Sequence, residues 1–372
     1  MAKKKDPIAE GLHTSAEAYW AAQQSLLADH GYQLRPRYHP NWKPSWKGPW
    51  NFIFKDMHEC PDWIGLYNRK VIDAVRVEDG GRVVIKRVTL ELDNVPLLQH
   101  LNSPEMRKDP RNNAVPLLDV IIPPTSNEGK SDHTVFLVMP MLFPLMSWHL
   151  PFRHVKEIVD VFEQVIQGVA FLHEHNIAHR DACNLNFMMD PTDVIPSSFH
   201  HGDNYYQPDG KTRIEFKDRC SVSRVKYYII DFEFANYFPN NKLCVGLYGQ
   251  QKDVPEMSRT VPYDPFKLDV FQVGKLIEKF IKKYEGLDFL QPLFEAMTRQ
   301  DPKTRPTAAE ALDQLRQTVS SLTDSDMSSE IWMKDMTPGL HRLQTLNGTP
   351  RPSSRRLLFD GSKCRQLLSQ IV

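Results

Sequence analysis

The sequence predicts an α+β fold in which a small β-rich part precedes a larger helical one. Three observations carry that reading. From Trp63 to Val88 apolar and polar residues alternate as in half-buried strands, and Asp79-Gly80-Gly81 between two such runs reads as a hairpin turn. After Pro140 the apolar spacing lengthens to three and four: Val155, Ile158, Phe162, Val165, Ile166, Val169 and Leu172 form one stripe of a helix over His154 to His175. Finally, 372 residues are enough for one large domain with an independent core.

Taken in order, Ser15 to Ala28 is predicted as a helix capped by Ser15 and anchored by Tyr19, Leu26 and Leu27. From Tyr32 to Trp50, Pro36, Pro40 and Pro44 argue against regular structure and the aromatics against free disorder. Residues 1–50 therefore read as an N-terminal extension that packs along a surface. Val71 to Val77 and Arg82 to Val88 are strands, Leu92 to Leu101 is a short helix, and Val115 to Ile122 and Thr134 to Met139 are two further strands. More helices fit Asp269 to Lys283, Leu287 to Thr298 and Thr307 to Leu322. The polar stretch from Asp190 to Val225 is too long for a plain connection and reads as an insertion. This divides the chain into a β-rich part at about 51–139, a helical part at about 143–322 and a largely irregular tail at 323–372.

The 46 basic and 46 acidic side chains cancel, so no overall field points to nucleic acid or an anionic membrane as partner. The five cysteines lie far apart, without the spacing of a zinc site or a disulfide framework, which fits a reducing, intracellular setting. No run approaches the ~18 apolar residues of a membrane span. Cytoplasm and nucleus stay open, as does the oligomeric state.

Four polar residues stand where chemistry could be done. Asp181 follows the long helix on a loop, and Asn186 comes five residues later. Asp231 ends the apolar run Tyr227-Tyr228-Ile229-Ile230, and Lys86 closes the strand Val83-Val84-Ile85. Singly, the two aspartates read equally well as turn or helix caps, and Lys86 as a solvated strand-end lysine. Together they supply what phosphoryl transfer needs: hard oxygen ligands for Mg²⁺, a cation for the phosphates and a carboxylate near the attacking hydroxyl.

With these motifs, the segment from about Trp63 to Leu322 resembles a eukaryotic protein kinase. Val83-Val84-Ile85-Lys86 is similar to the family's third-strand lysine motif, His179-Arg180-Asp181 with Asn186 to its catalytic loop, and Asp231-Phe232 to its metal motif. Val254-Pro255-Glu256, Asp269 to Gly274, and Arg305 in Asp301-Pro302-Lys303-Thr304-Arg305 resemble later motifs in the right order. The resemblance implies a bilobal, ATP- and Mg²⁺-dependent enzyme that phosphorylates a protein hydroxyl, of Ser/Thr rather than Tyr. Asp181 would act as base or hydroxyl positioner, Asn186 and Asp231 would hold Mg²⁺, and Lys86 would contact the α- and β-phosphates. Met139 would be the gatekeeper, with adenine on the Pro140 carbonyl and the Leu142 amide, and Met188 also at the nucleotide. His179, Arg180 and Asp269 would be scaffold, Glu256 and Arg305 a buried ion pair, and Glu91 the substitute partner for Lys86. Arg180 would grip a phosphorylated activation segment or bond plain carbonyls.

Some positions depart from the pattern. Between Trp63 and Val71 there is no GxGxxG, Glu233 replaces the glycine of the metal motif, and Cys183 stands where a lysine is usual. These departures motivate a second reading, a pseudokinase that binds nucleotide or serves as a scaffold. A small-molecule kinase of the aminoglycoside or choline type is a third, disfavoured by Val254-Pro255-Glu256 and Arg305.

Overall fold

The computed structural model describes residues 13–47, 60–90, 93–124, 134–147 and 149–334. Glu91 and residues 335–372 lie outside the described residues. Two helices, α1 (Ser15–Ala22) and α2 (Gln24–Asp29), take the place of the single helix expected. The N-cap is Thr14, not Ser15. Its hydroxyl accepts the Glu17 amide at 3.3 Å, while the Glu17 carboxylate accepts the Thr14 amide at 2.9 Å, so two otherwise orphaned donors are satisfied reciprocally.

A strand that periodicity does not announce follows at once. β1 (Tyr32–Leu34) is three residues long and ends before Pro36, so proline's missing N–H costs the ladder nothing. It pairs with β2 (Val71–Arg76), and β2 pairs with β3 (Arg82–Thr89). After α3 (Val95–Leu101) come β4 (Asp119–Ile121) and β5 (Thr134–Pro140), which complete an antiparallel five-stranded sheet of order β1-β2-β3-β5-β4. Strand β4 is shorter than the sequence predicts, and α3 starts at Val95, with Pro96 tolerated in its first turn.

The two faces of this sheet differ. Ile72, Ala74, Val83, Ile85, Phe136 and Val138 share one face and form a core with Trp20, Leu27, Tyr32, Leu34 and Tyr38. The Trp20 ring lies 5.3 Å from that of Phe136. The segment read as a surface extension therefore supplies a strand and five of the twelve residues of this core. Burial of its aromatics, not local periodicity, decides its place. A buried pair, Arg37 with Glu17 at 2.6 Å, fixes α1 against the loop after β1. Strand alternation puts Asp73, Val84, Lys86, Leu137 and Met139 on the opposite face.

The helical part is built around α4 (Val155–Glu174), preceded by β6 (Phe143–Pro144) and followed by β7 (Ile177–Ala178). β8 (Phe187–Met189) and β9 (Tyr227–Ile229) form a small sheet with β6, and β10 (Asn236–Tyr237) pairs with β7. A ribbon of β11 (Cys244–Gly246) and β12 (Ser258–Tyr263) leads into α5 (Pro265–Lys283), whose N-cap Asp264 accepts the amides of Phe266 and Lys267. Phe162 of α4 and Phe280 of α5 pack edge to face at 5.1 Å.

The remaining helices are α6 (Gln291–Met297), α7 (Ala308–Ser320) and α8 (Asp324–Ser328). The last begins where the sequence predicts an irregular tail. Thr323 and Asp326 cap it reciprocally, and beyond it Ile331 and Met333 are buried. No helix among the described residues is long and apolar enough to cross a membrane.

Candidate functional site

The face of β3 that carries Lys86 and the loops that follow β7 and β9 bring four polar side chains together: Lys86, Asp181, Asn186 and Asp231. Lys86 lies in β3 opposite Val71 and Leu137, and its ammonium reaches across the junction. There its Nζ meets Asp231 Oδ1 at 2.6 Å. Asp231 has φ of +61°, a left-handed conformation that is costly for a side chain with a Cβ and is held by its surroundings. One residue earlier, the Ile230 amide donates to the Asn186 carbonyl at 2.9 Å, which continues the β8–β9 pairing and sets Asn186 beside Asp231.

Asp181 is buried at 4 % exposure. Asn186 Nδ2 donates to its carbonyl at 2.8 Å and to its Oδ2 at 3.0 Å. The Asn186 amide nitrogen is thereby spent, and its Oδ1 is the atom left to serve as a ligand.

Helix α5 anchors this loop. Buried Asp269 accepts the amides of His179 and Arg180, each at 2.7 Å, and Gln272 Oε1, one turn on, accepts the Ala182 amide at 2.7 Å. His179 Nε2 faces the Ile230 carbonyl at 3.0 Å while its Nδ1 receives the Asp181 amide at 3.3 Å. A neutral ring protonated on Nε2 satisfies both. Arg180 donates from Nε to the Phe234 carbonyl at 2.6 Å and stacks 4.0 Å above the Tyr248 ring. Glu256 and Arg305 meet in a bidentate pair at 2.5 and 2.8 Å, with side chains 7 % and 0 % exposed.

Electrostatics separate the two acids after β9. Burial alone would push the Asp231 carboxyl up, but Lys86, in contact with it, holds it below its ordinary 3.8. Glu233 is raised above 4.5, first by burial and then by the charge of Asp231. A carboxyl that is depressed on folding adds stability that is complete above its unfolded value and fades as pH falls through the folded one. The Lys86–Asp231 contact is therefore expected to support the fold above pH 3.8 and to lose that support at lower pH. In a carboxylate titration by ¹³C NMR, Asp231 should protonate below 3.8 and Glu233 above 4.5, and Lys86→Met should move both upward. Unchanged values in the variant would exclude the contact.

Two features of the site escape sequence reasoning. Gly249, at φ +70°, lies so close to the catalytic-loop carboxylate that an added Cβ would sit 2.5 Å from Asp181 Oδ1, and the Gln250 amide donates to that same oxygen at 2.9 Å. Both Asp181 oxygens are thus occupied. The second is a row across the sheet. Asp73 and Met139 flank Val84 on the face of Lys86, and buried Asp73 takes Arg35 Nε at 3.0 Å. Arg35 also reaches His200 Nε2 of the insertion at 3.0 Å. Burial, then Arg35, pushes His200 down to about 4, so the ring is neutral there.

The other expected residues fall as follows. Met139, Met141 and Leu142 are buried where β5 crosses to β6, and Met188 pairs with Pro144 and Tyr228. Among the described residues, Asp231 is the ion-pair partner of Lys86. Asn94, at the N-cap of α3, donates to the Ala235 carbonyl at 2.6 Å. The Cys183 thiol is buried, and burial with the Asp181 charge pushes it up to about 12, so it brings no charge to the site.

No protein-family model matches the chain. Over 146 residues, 39 % of this chain and 16 % of the relative, it is 29 % identical to serine/threonine-protein kinase PTK2 of Candida glabrata. Over 258 residues, 66 % of this chain and 42 % of the relative, it is 23 % identical to serine/threonine-protein kinase STY17 of Arabidopsis thaliana. The chain thus matches less than half the length of either curated relative. These similarities and the mixed α+β architecture point to a distant, kinase-like relationship.

Proposed function

We propose that the chain is a protein kinase that uses ATP and Mg²⁺ to phosphorylate a serine or threonine hydroxyl of a protein substrate. The observation that carries this reading is the 2.6 Å contact of Lys86 with Asp231, next to the loop that joins Asp181 to Asn186. In this reading the sheet and the helical part are the two lobes, and ATP lies between them against Met139, Pro140, Leu142 and Met188. Asn186 Oδ1 and Asp231 hold Mg²⁺, whose hard-oxygen preference they match. Lys86 then moves from Asp231 to the α- and β-phosphates. Asp181, released from the Gln250 amide, orients the substrate hydroxyl.

A second reading, a pseudokinase scaffold, is favoured by the occupied oxygens of Asp181 and by the Asp73–Arg35 pair in the row of Met139. Purified protein incubated with labelled ATP, Mg²⁺ and generic substrates separates the two. Turnover is expected, falling about 10²-fold or more in both Lys86→Met and Asp181→Asn. Equal behaviour of wild type and variants would end the catalytic reading. A nucleotide-induced rise in Tm without turnover would establish the scaffold.

A further inference from the structure

Away from this site, the exit of the insertion meets the first turn of α4. Cys220 Sγ lies 3.3 Å from His154 Nδ1, and that nitrogen lies 3.7 Å from Glu157 Oε1. The three ligand atoms lie within 4.8 Å of one another. Because 66 residues separate His154 from Cys220, no sequence spacing announces the group. From this geometry we propose that His154 Nδ1, Glu157 Oε1 and Cys220 Sγ bind a zinc-class divalent ion, with water in the fourth position.

The distances fit. Zinc bonds of ~2.3 Å to sulfur and ~2.0 Å to nitrogen or oxygen, at tetrahedral angles, put neighbouring ligand atoms roughly 3.3–3.6 Å apart. One imidazole, one carboxylate and one thiolate form a borderline set that suits zinc better than magnesium or calcium. Two of the three ligands are in place without the ion: helix geometry brings His154 and Glu157 together at i and i+3. Glu157 is oriented from behind, its Oε2 accepting the Arg153 amide at 2.9 Å and facing Arg219 Nη1 at 3.8 Å.

The two guanidiniums nearby have acid partners, Arg153 with Asp218 at 2.7 Å and Arg219 with Glu157 at 3.8 Å. On binding, the thiol proton departs to solvent and sulfur takes the metal in its place. A cavity of about 320 Å³ lined by Lys156, Asp160 and Glu163, among others, borders the group at Cys220. The ion would clasp the insertion to α4, and the proposal does not depend on the kinase reading.

The test uses the full chain, stripped with chelator and titrated with Co²⁺ alone. One equivalent is expected to give a thiolate-to-cobalt charge-transfer band that Zn²⁺ abolishes. Cys220→Ser should lose the band, and His154→Gln should bind at least about 10-fold more weakly. Zn²⁺ should also raise the Tm of the wild type and leave that of Cys220→Ser unmoved. Absence of the band at saturating cobalt, a band of equal strength in Cys220→Ser, or a Tm of the wild type that zinc does not move would overturn the assignment.

Discussion

A chain that starts at residue 51, the boundary that composition and prolines mark, is expected not to fold. It lacks Trp20, Leu27, Tyr32, Leu34 and Tyr38, all buried against one face of the sheet. At about 1.5–3 kcal/mol for each large apolar side chain, their loss removes roughly 8–15 kcal/mol. That equals the whole stability of a typical domain, about 5–15 kcal/mol. It also bares Ile72, Ile85, Phe136 and Val138, a contiguous apolar patch that invites aggregation. Far-ultraviolet circular dichroism and a thermal scan would decide the matter, and a cooperative transition close to that of the full chain would refute it. Trp20→Ala is the single-site version, with an expected loss of about 3–5 kcal/mol.

Glu256→Ala should cost as much as Trp20→Ala although it deletes one acid far from the sheet. Its partner Arg305 is wholly enclosed and would be left as a buried cation without a counter-charge, a loss of about 3–5 kcal/mol. Carbonyls of Arg299 and Lys267, at 2.7 and 3.0 Å, and the Phe271 ring, 4.7 Å away, continue to hold the guanidinium. Those contacts keep it in place and do not neutralise it. Denaturant unfolding of Glu256→Ala and of the double variant Glu256→Ala/Arg305→Leu gives the comparison. The double variant should recover part of the loss, because it removes the stranded charge. A double variant less stable than Glu256→Ala would contradict this account.

How legible these elements are in the sequence follows from the reach of each signal. β2 and β3 declare themselves by alternation, β5 by a short continuous apolar run, and α4, α5 and α7 by their apolar stripes, since in each the pattern lies along one element. β1 is too short to show a period. Asp73 alternates with Ile72 and Ala74 and so reads as a solvent-facing residue; Arg35 from the N-terminal segment and the insertion bury it. Lys86 and Asp231 stand out by residue type and place, whereas the Gln250 amide on Asp181 has no side-chain signature at all. What the sequence hides is contact made by backbone or by distant segments.

The bond between Arg35 and His200 bears on motion. The chain passes from the sheet to the helical part at residues 140–143. Arg35 and His200, 165 residues apart, fasten the sheet to the insertion as well, beside the contacts of Lys86 with Asp231 and of Asn94 with Ala235. Fastenings spread along a junction work as a latch, because a wide opening must break them together. Opening would then be a discrete event on the microsecond-to-millisecond scale of lid motions.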